Sequence, residues 1–263
     1  DHLQLSDLSE VAFCFEHTGL YSLPLSIFLR SIGACYFQVS GLLVKRSLGL
    51  VRGKRDKVDA MNLARFAFLH QKELKPYELP SENIIRLKQL LSFREKLVRQ
   101  RTAHKNQNTE LKKVLGAADS DLIITSANEI ISLLNDKIKA IEKEIQRIIS
   151  DDPALNKTQE LITSIKGVGI ILSVTMMVYT NNFTLFDNWR SFACYSGTAP
   201  FEYQSGSSIR GRTKISTLGN RALKTLLSQA AATAIQYNPE LKTYFNRRIE
   251  KGKNKLSTLY YPQ

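Results

Sequence analysis

Two acids, Asp56 and Asp59, stand three residues apart in RGKRDKVDA, among Arg52, Lys54, Arg55 and Lys57. On a helix that spacing points both carboxylates to one face. Acids held together repel unless a cation lies between them. A hard divalent ion such as Mg2+ takes oxygen donors of this kind and can hold a phosphate oxygen as well. The same two acids would also complement a helix dipole with no metal, and spacing alone does not choose. Glu16 ends the apolar run VAFCFE. That places a third carboxylate at the C-terminal end of a predicted buried strand, where ligands gather in α/β sheets.

A second constellation lies far downstream, in YQSGSSIRGRTK at 203–214. Ser205, Ser207 and Ser208 precede Arg210, Arg212 and Lys214, and Arg221 and Lys224 follow; from Ser205 to Lys224 there are five cations and no acid. A serine hydroxyl becomes a useful nucleophile only with help from a base, a metal or a cation cluster. Arginines stabilise charge that builds on a phosphoryl group. No histidine is near in sequence, so a serine–histidine triad has no local support. Read by itself, the loop equally suits gripping a phosphate without reacting.

Two further segments suit nucleic-acid backbones. In LITSIKGVGIILSVTMMVY, Gly167 and Gly169 separate two short predicted helices, as in a helix–hairpin–helix. Glycines let a backbone approach a phosphate, and helix N-termini offer N–H groups to it. A tight helix–helix turn explains the same glycines. Residues 99–113 carry Arg99, Arg101, Lys105, Lys112 and Lys113 against one acid, Glu110, and no large apolar residue between 99 and 110. That composition suits sequence-independent phosphate contact, or a solvated helix face.

These side chains need elements to hold them. VAFCFE, SLPLSIFLRSIG and ACYFQVS read as strand, helix and strand, hence a parallel pair; KVDAMNLARFAFLH reads as a following helix, with Val58, Leu63, Phe66 and Ala67 near one face. Two prolines in KELKPYELP mark a boundary near residue 80. Long helices are then expected over 82–115, through Ile84, Leu87, Leu91 and Val98, and over about 127–150. The second repeats Ile131, Leu134, Ile138, Ile141, Ile145 and Ile148 at heptad spacing, so an antiparallel hairpin or coiled-coil arm is expected. Pro153 after Asp152 starts a third, mainly helical part, interrupted by a loop over 197–220. The expected organisation is 1–80, α/β and lacking its opening strands, then 81–150, a coiled-coil region, then 151–263, mainly α-helical. The chain reads as a fragment, cut at its start and after KGKNK.

Bulk properties narrow the partners. The chain has 263 residues, 43% hydrophobic, with a net charge of +13. Such an excess favours a polyanion. No apolar run approaches the roughly 18 residues of a membrane span, so a soluble cytoplasmic nucleic-acid binder is expected, with no membrane partner. Three scattered cysteines and four histidines show no metal-ligand spacing.

FEHTGLY at 15–21, GLVRGKRDKVDAMNLARFA at 49–67, IKGVGIILS at 165–173 and YSGTAPFEYQSGSSIRGRTKISTLGNRALKTLL at 195–227 occur in this order. Together they resemble the DEDD-type transposases of the insertion sequence 110 family, RNA-guided recombinases that use a structured bridge RNA. The resemblance covers nearly the whole chain. It implies a RuvC-like, RNase H-type domain with four acids binding Mg2+, a coiled-coil region, and a C-terminal transposase domain whose serine becomes linked to DNA phosphate. Carried over by motif, it implies Glu16, Asp56 and Asp59 as metal ligands and Ser205 as nucleophile; the first aspartate belongs on an opening strand that this chain lacks. It also implies donor and target DNA, a guide RNA, a homo-oligomer with sites composed between protomers, and a prokaryotic, nucleoid-associated setting. Two other readings fit the residues: a junction-resolving metal nuclease in which Ser205 only binds phosphate, and a non-catalytic nucleic-acid scaffold.

Overall fold

The computed structural model describes residues 11–48, 55–119, 121–202, 204–205, 209–211, 214–215, 218–255 and 258; at 48, 204–205, 209–210 and 214 it describes the backbone. The chain divides into two compact units, Asp1–Pro80 and Ser81–Gln263.

The first unit runs β1 (Ala12–Glu16), a 3₁₀ turn (Gly19–Ser22), α1 (Leu23–Ser31), β2 (Cys35–Val39), α2 (Gly41–Leu48) and α3 (Asp56–Leu69). The strands pair in parallel, from Ala12 opposite Cys35 to Glu16 opposite Val39. Period-two alternation sends their side chains to opposite faces. Phe13, Phe15 and Tyr36 pack with Leu29 of α1 and with Tyr77 on one side. Cys14, Phe37 and Val39 pack with Val44 of α2 and with Leu63 and Phe66 of α3 on the other. Both faces are covered, which is why these short strands are almost wholly apolar. Phe66 is 2% exposed, and burying such a ring contributes roughly 2–3 kcal/mol. The strand–helix–strand order and the parallel pairing are as expected. Helix α2 is not foreseen: its eight residues are too few for periodicity to declare.

The second unit opens with α4 (Glu82–Leu115) and α5 (Leu122–Asp151), followed by α6 (Pro153–Thr163), α7 (Ile170–Thr180) and α8 (Trp189–Tyr195). Ser81 caps α4 by accepting from the Ile84 N–H, and Gly116, at φ +63°, ends it in the left-handed conformation that glycine adopts freely. Helix α5 starts at Leu122, earlier than the expected 127, because Asp121 caps it by accepting from the Ile123 N–H.

Helices α4 and α5 form an antiparallel hairpin. Arg94 donates to Glu142 at 2.7 Å, Arg101 to Asn135 at 2.9 Å and Asn108 to Asn128 at 3.0 Å. Numbers rise by seven on one helix as they fall by seven on the other, so these polar rungs recur once per heptad. The seam on α4 runs through buried Leu90 and Leu97, one position ahead of the expected Leu91 and Val98, which are half-buried beside it. At its base the hairpin joins a larger core: Ile84, Leu87, Leu90, Ile145, Ile148 and Ile149 pack with Leu155 and Ile162 of α6 and Val174 and Met177 of α7. The base of the α4–α5 hairpin therefore shares one core with α6 and α7.

Beyond α8 the expected loop holds four two-residue strands: β3 (Pro200–Phe201), β4 (Gln204–Ser205), β5 (Ile209–Arg210) and β6 (Lys214–Ile215). Helices α9 (Arg221–Tyr237) and α10 (Pro239–Glu250) follow. Among the described residues no helix is long and apolar enough to cross a membrane.

Candidate catalytic residues and nucleic-acid interface

Glu16 is the last residue of β1, opposite Val39, and is exposed. Its carboxylate lies against Gly41, the first residue of α2: a Cβ on Gly41 would fall 2.5 Å from Glu16 Cδ. Gly41 is therefore glycine for space. The first turn of α2 carries the positive end of a helix dipole, which suits an ionised carboxylate there.

Asp56 and Asp59 occupy the first turn of α3, both exposed. The Arg55 carbonyl accepts from the Val58 and Asp59 N–H groups, and no side chain caps the helix. In that place the two acids answer the dipole, and their i, i+3 spacing puts them on one face as expected. The helix is tied to α2 at its far end, where Ser47 Oγ lies 2.7 Å from His70 Nε2 and His70 Nδ1 lies 3.0 Å from Glu73 Oε2.

Carboxylate oxygens suit Mg2+ by type. Position is another matter: among the described residues no three His, Cys, Asp or Glu side chains are grouped to hold a metal ion. Glu16, Asp56 and Asp59 share one unit, and among the described residues they are not grouped as a three-ligand set.

Ser205 lies in a two-tier antiparallel hairpin. The outer tier pairs Pro200 with Ile215 and Phe201 with Lys214; the inner tier pairs Gln204 with Arg210 and Ser205 with Ile209. Among the described residues the Ser205–Ile209 pair is the innermost. Arg210 and Lys214 sit on the returning strands; Arg212, Ser207 and Ser208 lie outside the described residues. The base of the hairpin is closed tightly. Gly197 has φ +70°, and a Cβ on Gly219 would fall 2.6 Å from Gly197 N. The Asn220 N–H donates to the Tyr195 carbonyl at 2.8 Å, and Asn220 caps α9 by accepting from the Leu223 N–H. Arg221, exposed, follows directly in the first turn of α9.

The two glycines between α6 and α7 have different surroundings. Gly167 has φ +96°, and a Cβ on it would fall 2.5 Å from the Ala230 carbonyl oxygen and 2.9 Å from the Ala234 nitrogen. It lets the turn seat on α9. Gly169 caps α7 with open space around its Cβ direction. It edges a cleft of about 470 Å³ that Ile170, Leu226, Gln229, Thr233 and Glu142 also line.

On α4, Arg99 is exposed and lies 3.4 Å from Glu95, and Lys105 is exposed. Arg101 is turned into the seam toward Asn135. Asn108, 7% exposed, joins it there. Of the rung residues, the sequence pointed only to Arg101, and to it as a backbone contact, although the seven-residue spacing of Arg94, Arg101 and Asn108 is visible. The Gly197–Gly219 contact has no such signal, because only the folded chain brings these glycines together.

Two family models match, in separate parts of the chain. One, described as Transposase IS116/IS110/IS902 family, matches residues 159–246. The other, a transposase model of the DEDD type from the IS110 group, matches residues 2–115. The pilin gene-inverting proteins of Moraxella lacunata and Moraxella bovis are each 30% identical over 212 residues, covering 80% of this chain and 62% of theirs. An uncharacterized 43.6 kDa protein of insertion element IS110 from Streptomyces coelicolor is 27% identical over 146 residues, covering 56% of this chain and 35% of its own. The chain belongs to the IS110 family of transposases. It spans less than two thirds of the length of these relatives.

The two IS110-family matches fall on distinct structural parts. The DEDD match takes in the first unit, with Glu16, Asp56 and Asp59, and ends at the last residue of α4. The other begins within α6, ends within α10 and contains the Ser205 hairpin.

Proposed function

We propose that this chain is part of a transposase that cuts and rejoins DNA strands through Ser205. The observation that carries the reading is the hairpin register. The Ser205 backbone pairs with Ile209 in the innermost described rung, in an acid-free stretch that returns through Arg210 and Lys214 to Arg221. Relatives named for inverting a pilin gene fit a cut-and-rejoin reaction.

In this reading the Ser205 oxygen attacks a backbone phosphorus. The bond to the 3′ oxygen breaks, and that oxygen takes up the proton the hydroxyl gives up. A 3′-hydroxyl then attacks the phosphoserine, returns the proton and restores the strand with no external energy source. The cations of the same acid-free stretch are assigned to stabilising the charge on the phosphoryl group. Glu16, Asp56 and Asp59 are assigned to the same RuvC-like half of the machinery as oxygen donors of the type that Mg2+ takes. The covalent bond is assigned to this chain's serine, and a Mg2+ ion held by such acids would polarise the phosphate. Arg99 and Lys105 on the coiled-coil hairpin, the Gly169 end of the helix–hairpin–helix and Arg212 are assigned to backbone contact. Arg101 acts from within the seam, holding the arm. Target choice is assigned to a structured guide RNA by base pairing, with protein holding the backbones, in a homo-oligomer in the bacterial cytoplasm.

The test is a denaturing gel after incubation with guide RNA and target DNA. A covalent protein–DNA adduct is expected, and Ser205→Ala should remove it while binding persists. Cleavage that survives Ser205→Ala with no adduct would transfer the reaction to a water-using nuclease. Binding without cleavage by the wild-type protein in its full natural length would leave a scaffold.

A further inference from the structure

The chain has one tryptophan, Trp189, and its side chain is 73% exposed at the start of α8. Tryptophan carries the largest apolar surface of any residue, so leaving it in water is unfavourable unless something covers it in use. The rest of α8 does not need it. Phe192 of α8 packs against Phe183 and Phe186, and Tyr195 packs against Phe186, with ring centroids 5.2–5.9 Å apart. That aromatic cluster anchors the helix without Trp189. Asn188 caps it, accepting from the Ser191 N–H at 3.0 Å.

Arg190 places its guanidinium carbon 5.3 Å from the Trp189 ring centroid. A flat ring, a cation on its face and open solvent form the pair of surfaces on which unpaired bases stack. The C-terminal end of the same helix is fixed to the serine hairpin: Tyr195 receives the Asn220 N–H, and Gly197 abuts Gly219 at the hairpin base. Nothing about phosphate gripping requires an aromatic ring, so this feature is not absorbed by the cationic loop.

We infer that Trp189, with Arg190, is a stacking platform for an unpaired nucleobase of a single strand held beside the Ser205 hairpin. The occupant is a base with its phosphodiester backbone, DNA or RNA; a double helix, with its bases already stacked, does not use the platform. The inference rests on the nucleic-acid reading above and extends it from backbone to base.

Because Trp189 is the only tryptophan, its emission reports the site directly. The experiment takes the whole chain with fluorescently labelled oligothymidylate, oligouridylate and an abasic strand, each of about 15 nucleotides. Anisotropy of the label reads binding, and tryptophan emission reads stacking. The base-bearing strands should quench Trp189; the abasic strand should bind without quenching. Trp189→Ala should weaken the base-bearing strands on the order of tenfold and leave the abasic strand unchanged, and Trp189→Phe should recover most of the loss. Stronger quenching by one base-bearing strand would assign the site to DNA or to RNA, and equal quenching to either. Binding with Trp189 emission unmoved, or the same base-to-abasic preference in Trp189→Ala as in wild type, would overturn the platform and leave backbone binding intact. If no strand binds, the nucleic-acid reading fails together with it.

Discussion

At the scale of single residues, the glycines separate structure from function. Gly167 and Gly169 look alike in sequence, yet only Gly167 combines a positive φ with backbone atoms of α9 where a Cβ would go. Gly167→Ala should therefore cost about 2 kcal/mol or more, read as a lower urea midpoint at unchanged slope. Gly169→Ala should cost under about 1 kcal/mol, since its φ is ordinary and the space is open. If Gly169 contacts phosphate, the same change should weaken DNA binding more than it weakens the fold. Gly41 is a third case. An alanine there would push the Glu16 carboxylate aside, so Gly41→Ala should perturb any reaction that needs Glu16 while leaving the urea midpoint nearly unmoved, because only the end of a flexible side chain has to give.

At the scale of elements, Asp152 joins three helices. It ends α5, caps α6 through the Ala154 and Leu155 N–H groups, and accepts from Asn83 of α4 at 2.9 Å. The Asn83 hydrogen bond, with the two backbone donors, holds its carboxyl below the ordinary carboxylate range. The fold thus favours the ionised form. Its contribution is fully present above the unfolded carboxylate value near pH 4 and is lost as pH falls through the lowered folded value. Asp152→Ala should cost about 1 kcal/mol at neutral pH, and denaturation curves of mutant and wild type should draw together as the solution is acidified below the ordinary carboxylate range. Along the hairpin, the Arg94–Glu142 rung is the most enclosed ion pair, with side chains 21% and 38% exposed. A double-mutant cycle with Arg94→Ala and Glu142→Ala should return a coupling of about 1 kcal/mol; zero coupling would demote the rung to an incidental contact.

At the scale of the whole molecule, charge dominates. A net +13 makes binding to generic DNA depend on counterion release. Affinity should fall steeply, by orders of magnitude, between roughly 50 and 200 mM salt. Arg221→Ala should reduce the slope of log affinity against log salt by about one if that exposed cation meets a phosphate, whereas Ser205→Ala should leave the slope alone. Titration of labelled duplex over a salt series checks both.

The sequence by itself determined what depends on local pattern. The parallel strand pair, the break near residue 80 and the two long helices follow from short apolar runs around a helix, prolines and helical spacing, and the ordered motifs from Glu16 to Ser205 pointed to the family. These are properties of nearest neighbours along the chain and of its total charge. The tertiary structure alone decided what depends on contacts between distant residues. It turned Arg101 from solvent into a seam, made Gly167 a packing residue and Gly169 an open one, folded the expected loop into two nested tiers, and left Trp189 outside a core of its aromatic neighbours. The physical reason is the same in each case: a side chain's environment is fixed by what another segment brings against it, and no window of local sequence contains that segment.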